Sequence, residues 1–373
     1  MGQPTSESIG AGEPLDQFLA PPYSSLLTAS RIGTALQRSG ALAADRSVRG
    51  VRVQPLGVGK AMMSTLLRLH LVYDEPGAGP ASIVAKLACD NPFRRSVADR
   101  FDFYDREVFF YEQLATRVPF RVPGCHLAER NETVAAPLLL LEDLGDLSVS
   151  QTSGCAWDQA LLVASELARF HAVWWAATDA YEVDVHAVNS SGYLDNIGSV
   201  FSEAWPSCRR LAGDRIPPEL QRLGDGWAEE VIAPVADMIA SPATLCHGDL
   251  RLDNLRFVDG SLVVFDFQLV VRSNGVADLA YFASQSIPTE LRTGRDEELV
   301  RCYLAELAAN GVRYDFSEAW EAYRAATLFM LVFPVVLYQA FEELPEAGRD
   351  LTATMLDRSV AAICDTQAWN VVA

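Results

Sequence analysis

The stretch CHGDLRLDNLRF (residues 246–257), followed closely by LVVFDFQLVVRSNGVADLAYF (residues 262–282), decides how this chain is read. His247, Gly248 and Asp249 come first, then Asn254, and Asp266 closes an apolar run. So many polar groups beside a buried strand point to a bound ligand, because a polar group taken out of water is costly unless something pairs with it. Asp249 falls in a loop after the apolar-ended ATLCH, and Asp266 ends SLVVFD, a strand that follows a tight VDGS turn. If the two short strands pair as a hairpin, Asn254 and Asp266 converge at one end. An amide oxygen and a carboxylate are hard ligands suited to Mg²⁺, which takes the rest of its shell from water and phosphate. Asp249 is then free to accept a hydrogen bond from a substrate hydroxyl. A metal clamp plus a positioned base is the minimal equipment for phosphoryl transfer.

Outward from this core the pattern divides. Residues 1–22, rich in Gly, Ser and Pro, read as a flexible leader. TASRIGTALQRSGAL (28–42) has helical spacing at Ile32, Leu36 and Leu42. VRGVRVQPL and STLLRLHLVYD alternate apolar and polar residues and predict half-buried antiparallel strands, with ASIVAKLA as a third. DRFDFYDREVFFYEQLATR (99–117) predicts one amphipathic helix, and LLLLEDL (138–144) a buried strand running into a hinge. From residue 155 the chain turns mainly helical, with WDQALLVASELARFHAVWW the plainest helix. The expected division is a small lobe over 23–141, a hinge at 142–145 and a larger lobe over 146–373, with a ligand in the cleft.

Bulk properties narrow the function further. The chain has 373 residues, half of them apolar, enough for two lobes around large cores. Its net charge of -19 opposes non-specific nucleic-acid binding, which needs Lys and Arg against phosphate. Seven cysteines without any CxxC pair argue against a disulfide framework or zinc ribbon and place the chain in a reducing cytoplasm. The N-terminus lacks the basic and apolar regions of a signal peptide. LFMLVFPVVLYQAF (328–341) is too short for a membrane span, contains Pro334, and predicts a buried helix instead. No nucleic-acid or membrane partner is expected, and the oligomeric state is open.

HGD, then N, then an apolar strand ending in DFQ, resembles the aminoglycoside phosphotransferase and choline kinase branch of the protein-kinase-like superfamily. HGDLRLDNLRF with DLAYF downstream is more similar to its ecdysteroid-kinase-like subgroup. The resemblance runs from about residue 30 to 345. It implies an α+β bilobal fold: an antiparallel small lobe with one main helix, and a mostly helical large lobe. It implies an ATP- and Mg²⁺-dependent small-molecule kinase with Asp249 as catalytic base and Asn254 and Asp266 as metal ligands. Lys86, a cation inside an apolar strand, is implied to hold nucleotide phosphates, paired with Glu107 on the following helix, where Glu112 is the competing acid. The backbone from Glu142 to Leu144 is implied to meet the adenine. LARFHAVWW, with His171, resembles the helix that supports the catalytic loop.

Two departures qualify the match. LGVGKAMMS carries only Gly57 and Gly59, not the protein-kinase glycine pattern, and Gly248 stands where protein kinases have Arg. The remaining polar and aromatic residues have plain readings. His247 props its loop, His171 is a satisfied core histidine, and Asp278 caps the following helix, with a loop-bracing role implied by the resemblance. Arg94, Arg95, Arg100 and Arg106 form a solvated helix face. Trp174 and Trp175 belong to the core, whereas Trp205 and Trp227 stand open between core and substrate platform. Two acceptor classes fit, polycationic aminoglycosides for an acidic cleft or sterol-like hydroxylated compounds for an aromatic one. A nucleotide-binding pseudokinase or scaffold without turnover is the alternative outside enzymes.

Overall fold

The computed structural model describes residues 23–56, 63–131, 136–145, 150–176 and 185–372. The leader, and Gly57 and Gly59 with it, lie outside the described residues. The chain forms two compact units, one running to Asp99 and including Pro123–Gly145, the other comprising Arg100–Val122 and the chain from Asp146 onward.

In the first unit, a five-stranded sheet is antiparallel throughout. β1 (Val48–Leu56), β2 (Ser64–Tyr73), β3 (Ser82–Ala88), β4 (Cys125–Asn131) and β5 (Ala136–Glu142) lie in the order β1-β2-β3-β5-β4. Strands β3 and β5 are central, and their sequences, SIVAKLA and APLLLLE, are near-continuous apolar runs that suit burial on both faces. The helix Ala29–Arg38 packs beside this sheet and is shorter than its apolar spacing predicts. Thr28 caps its start by accepting the Arg31 N–H at 3.3 Å. Gly40, at φ 76°, ends it, so Leu42 reaches the core from a turn rather than from a helix.

The single helix expected over 99–117 is broken. Pro92–Arg100 is one helix and Phe103–Phe109 another, with Asp102 between them at φ 54°. The cause is aromatic. Phe101 and Phe103 are both buried and stack at 5.4 Å, whereas positions two apart on a continuous helix point to different sides. Arg106 also departs from the solvated face expected of it. It is buried, donates to the Val270 carbonyl at 3.3 Å and lies 5.5 Å over the Tyr193 ring.

The second unit is mostly helical, with two small antiparallel pairs embedded in it. β6 (Thr244–Cys246) pairs with β9 (Val271–Ser273), and β7 (Leu255–Val258) pairs with β8 (Ser261–Val264). Of residues 178–230, the least legible part of the sequence, those up to 184 lie outside the described residues, and 185–230 contain the helices Ser191–Ala212 and Pro218–Asp225. Trp205 and Trp227 both belong to the core: each is buried, and both stack on Phe201. Trp205 also donates to Asp225 at 2.9 Å. Among the described residues one stretch, Phe316–Glu343, is long and apolar enough by length and composition to cross a membrane. Of its apolar window 61% is buried inside the protein, as in a core helix, and the stretch breaks at Met330 and Leu331, just before the turn of helix that holds Pro334.

Candidate functional site

The loop between β6 and β7 carries the polar motif, and each backbone feature of it has a local cause. Gly248 sits at φ 80°, and a Cβ there would lie 2.1 Å from the Leu269 carbonyl oxygen. Only glycine fits, which is the structural reason no arginine follows His247. Gly248→Ala is expected to destabilise the protein by roughly 1–3 kcal/mol through overpacking against backbone. Thermal unfolding measures this.

His247 props the loop as expected, with Nε2 3.0 Å from the Phe265 carbonyl and Nδ1 accepting the Asp249 N–H at 3.2 Å. Asp278 does not cap its own helix, Val276–Ser286. Asn274 takes that place by accepting the Val276 N–H at 3.1 Å. The Asp278 carboxylate instead accepts the backbone N–H groups of His247 at 2.6 Å and Gly248 at 2.9 Å, with His171 Nε2 at 3.3 Å. Burial alone would raise the Asp278 pKa. His171, His247 and the loop amide outweigh it and hold the carboxyl below its usual range. His171 is fully buried and satisfied, its Nδ1 3.0 Å from the Tyr303 hydroxyl.

His171, Cys246 and Asp278 have ligand atoms within 4.8 Å of one another, yet the trio is a brace rather than a metal site. The carboxylate oxygens already accept loop N–H groups. Burial, reinforced by Asp278, pushes the Cys246 thiol up, and its sulfur points at the Ser273 and Asn274 carbonyls.

Asp249 is buried, and both its oxygens are held. Oδ1 accepts the Tyr281 hydroxyl at 2.8 Å, with Arg251 Nε at 3.3 Å, and Oδ2 accepts Asn254 Nδ2 at 3.0 Å. Burial raises the Asp249 pKa most. Arg251 opposes that, the Asp266 charge adds to it, and the Tyr281 hydrogen bond opposes it; the net direction is upward. A raised carboxyl is what general-base work at neutral pH calls for.

Asn254 Nδ2 also donates to the Asp249 carbonyl at 2.8 Å. Two acceptors on the amide nitrogen fix the orientation of the side chain and leave its oxygen as the group to face a cation. The Phe265 N–H bonds to the Asn254 carbonyl at 3.1 Å, immediately beyond the paired residues Leu255 and Val264. That bond brings residue 266 beside residue 254, as the hairpin expectation requires. Asp266 is half-buried and left-handed, at φ 68°, where the backbone turns out of β8. Phe267 behind it is fully buried and stacks on Phe110 at 3.5 Å between centroids. An oriented amide oxygen next to a half-exposed carboxylate is a donor set that fits Mg²⁺.

The other expected residues fall as follows. Lys86, in β3 opposite Leu66 and Leu139, is 9% exposed. Glu142 ends β5 and accepts the Gly124 N–H at 3.0 Å, and Leu144 is half-buried just beyond it. Glu107 is buried in the helix Phe103–Phe109 of the second unit, whereas Glu112 is exposed. Sequence reading missed Asp143, which anchors the segment after β5. It takes Arg68 through both oxygens at 2.6 and 3.1 Å, Ser82 at 2.6 Å and the Gly145 N–H at 2.9 Å. Burial would raise this carboxyl, but those donors together hold it low. It missed Tyr281 as well. Its signals were its place in DLAYF and its spacing of three residues from Asp278, one helical turn on the same face.

Comparison with known proteins bears on the fold and the family. No curated protein sequence matches the chain. Choline kinase from Cryptosporidium parvum Iowa II is similar in structure at a TM-score of 0.52 and 12% identity, over 91% of this chain and 93% of that one. An ethanolamine kinase from Plasmodium vivax gives 0.52 and 12%, over 92% and 91%. The GDP complex of aminoglycoside 2'-phosphotransferase-IIIa gives 0.52 and 14%, over 87% and 96%. At identities this low the structural likeness shows a shared fold alone, the α+β bilobal protein-kinase-like fold. A family model described as the ecdysteroid kinase-like family matches residues 58–314. With the HGD loop, the Asn254 amide and the Asp266 turn all inside that span, the chain belongs to the ecdysteroid kinase-like family.

Proposed function

We propose that the protein is an ATP-dependent kinase that phosphorylates a hydroxyl group of a small organic molecule. The observation that carries this reading is Asp249: a buried carboxylate, raised above its usual range and held at both oxygens, beside an oriented Asn254 amide and the Asp266 turn. In the reaction the acceptor oxygen bonds to the γ-phosphorus and the bond from that phosphorus to the β,γ-bridging oxygen breaks. ADP leaves, and the acceptor proton passes to Asp249. Asn254 and Asp266 would hold Mg²⁺, which would supply charge neutralisation on the phosphates.

Lys86 is assigned to the nucleotide phosphates on the strength of the family resemblance. Glu107 is assigned as its counter-ion, and the backbone from Glu142 to Leu144 to the base of the nucleotide. The support for these three assignments is the family resemblance. Hydroxylated apolar acceptors are the favoured class, on the strength of the family. The excess of acidic residues keeps polycationic acceptors as the second class to try.

The test is ADP release from Mg·ATP over a panel of sterol-like alcohols and aminoglycosides, alongside thermal protection by nucleotide. Acceptor-dependent release that needs Mg²⁺ is the expected result. Protection by Mg·ATP with no release across the panel would favour a nucleotide-binding scaffold instead.

A further inference from the structure

The helix Val276–Ser286 lies along the motif loop and holds it at successive points. Asp278 takes the N–H groups of His247 and Gly248, Tyr281 reaches Asp249, and Ser286 Oγ accepts the Leu252 N–H at 3.2 Å. The first and last of these contacts fix backbone. The middle one is different in kind, because it fixes the side chain of the proposed base.

Tyr281 is 1% exposed, and its ring stacks on Phe333 at 4.4 Å between centroids. A buried ring with two torsions, clamped by a neighbour, is a rigid arm. Its hydroxyl donates to Asp249 Oδ1 at 2.8 Å. The same oxygen lies 3.3 Å from Arg251 Nε, and Arg251 also pairs with Asp253 at 2.6 Å. Two donors therefore compete for Oδ1, and the guanidinium, being charged, is the stronger attractor. Without the phenol the carboxylate is free to turn fully onto Arg251. With the phenol in place, Tyr281 and Asn254 hold the carboxylate from its two ends.

We infer that Tyr281 is a positioning residue for Asp249: its buried hydroxyl sets the direction in which the carboxylate meets the acceptor hydroxyl. This inference rests on the kinase reading of the site. A reacting group misplaced by about an ångström costs up to about 10²-fold in rate, because the geometry of attack is lost while binding is not.

Tyr281→Phe keeps the ring and its stacking on Phe333 and removes only the hydroxyl. It is expected to lower kcat by roughly 10- to 100-fold, with KM for ATP and thermal protection by Mg·ATP unchanged. In an Asp249→Asn background the same substitution should cause no further loss, because there is no base left to orient. A multiplicative loss in the double variant, or a matching rise in KM, would mean a general structural role and overturn the inference. Crystal structures of the parent protein and of Tyr281→Phe decide the matter independently of turnover. A carboxylate swung toward Arg251 in the variant supports the inference, and an unmoved one overturns it. If the parent protein turns over no acceptor, the kinase reading fails while this structural comparison still answers for Tyr281.

Discussion

Asp249→Asn is expected to cut turnover by roughly 10²- to 10⁴-fold while leaving Mg·ATP binding close to that of the parent protein. The size follows from losing a base that accepts the acceptor proton in the transition state. Binding is spared for a geometric reason. Asparagine has the same shape, and its one carbonyl oxygen can still accept from either Tyr281 or Asn254, which bracket the side chain at 2.8 and 3.0 Å. The loop backbone is held separately, by Asp278 on the His247 and Gly248 amides. ADP-release kinetics and nucleotide-dependent thermal shifts on the same preparations provide the check. An equal loss of nucleotide protection and turnover would make Asp249 a brace or a metal ligand, not the base.

Asp266→Ala is expected to abolish the Mg²⁺-dependent part of protection by ATP and, with it, turnover. The carboxylate is the charged member of the proposed ligand pair with the Asn254 amide oxygen, and Mg²⁺ at a two-ligand protein site gives up much of its affinity when the charged ligand goes. The fold should survive, because the packing at this corner belongs to Phe267, fully buried on Phe110, and not to the half-exposed Asp266. Residue 266 is left-handed at φ 68°, a conformation that Asp and Asn tolerate better than Ala. Asp266→Asn is therefore the companion variant, removing the charge while keeping the backbone preference. Circular dichroism and thermal unfolding without nucleotide establish that each variant is folded. Full Mg·ATP protection with near-normal turnover in both variants would remove the metal assignment and most of the kinase reading.

The motif loop was legible in the sequence because its logic is local. Asp249, Asn254 and Asp266 lie within 18 positions of one another, and a hairpin between them follows from strand propensity and a VDGS turn. The strands β1, β2, β3 and β5 were legible for a similar reason, since apolar runs and alternation are written residue by residue. β4, CHLAERN, was not. It joins the sheet at an edge beside β5, and little in its composition declares a strand.

What local pattern could not show is what distant residues do to one another. Helical periodicity runs unbroken through 99–117, yet Phe101 and Phe103 stack and break the helix at Asp102. Arg106 looks like one of four surface arginines, and only the Tyr193 ring and the Val270 carbonyl, far along the chain, make it a buried residue. Trp205 and Trp227 became core through Phe201.

By itself, then, the sequence determined the chemistry on offer: which carboxylates and amides stand near one another, on which turns, after which strands. Only the tertiary structure decided how those groups are aimed. Tyr281 touches Asp249 across 32 positions, Asp278 holds the His247 amide across 31, and Arg68 anchors Asp143 across 75. Such contacts leave no periodic trace along the chain. A hydrogen bond between packed elements depends on which faces meet, and that is set by the burial of the whole core rather than by the residues flanking either partner.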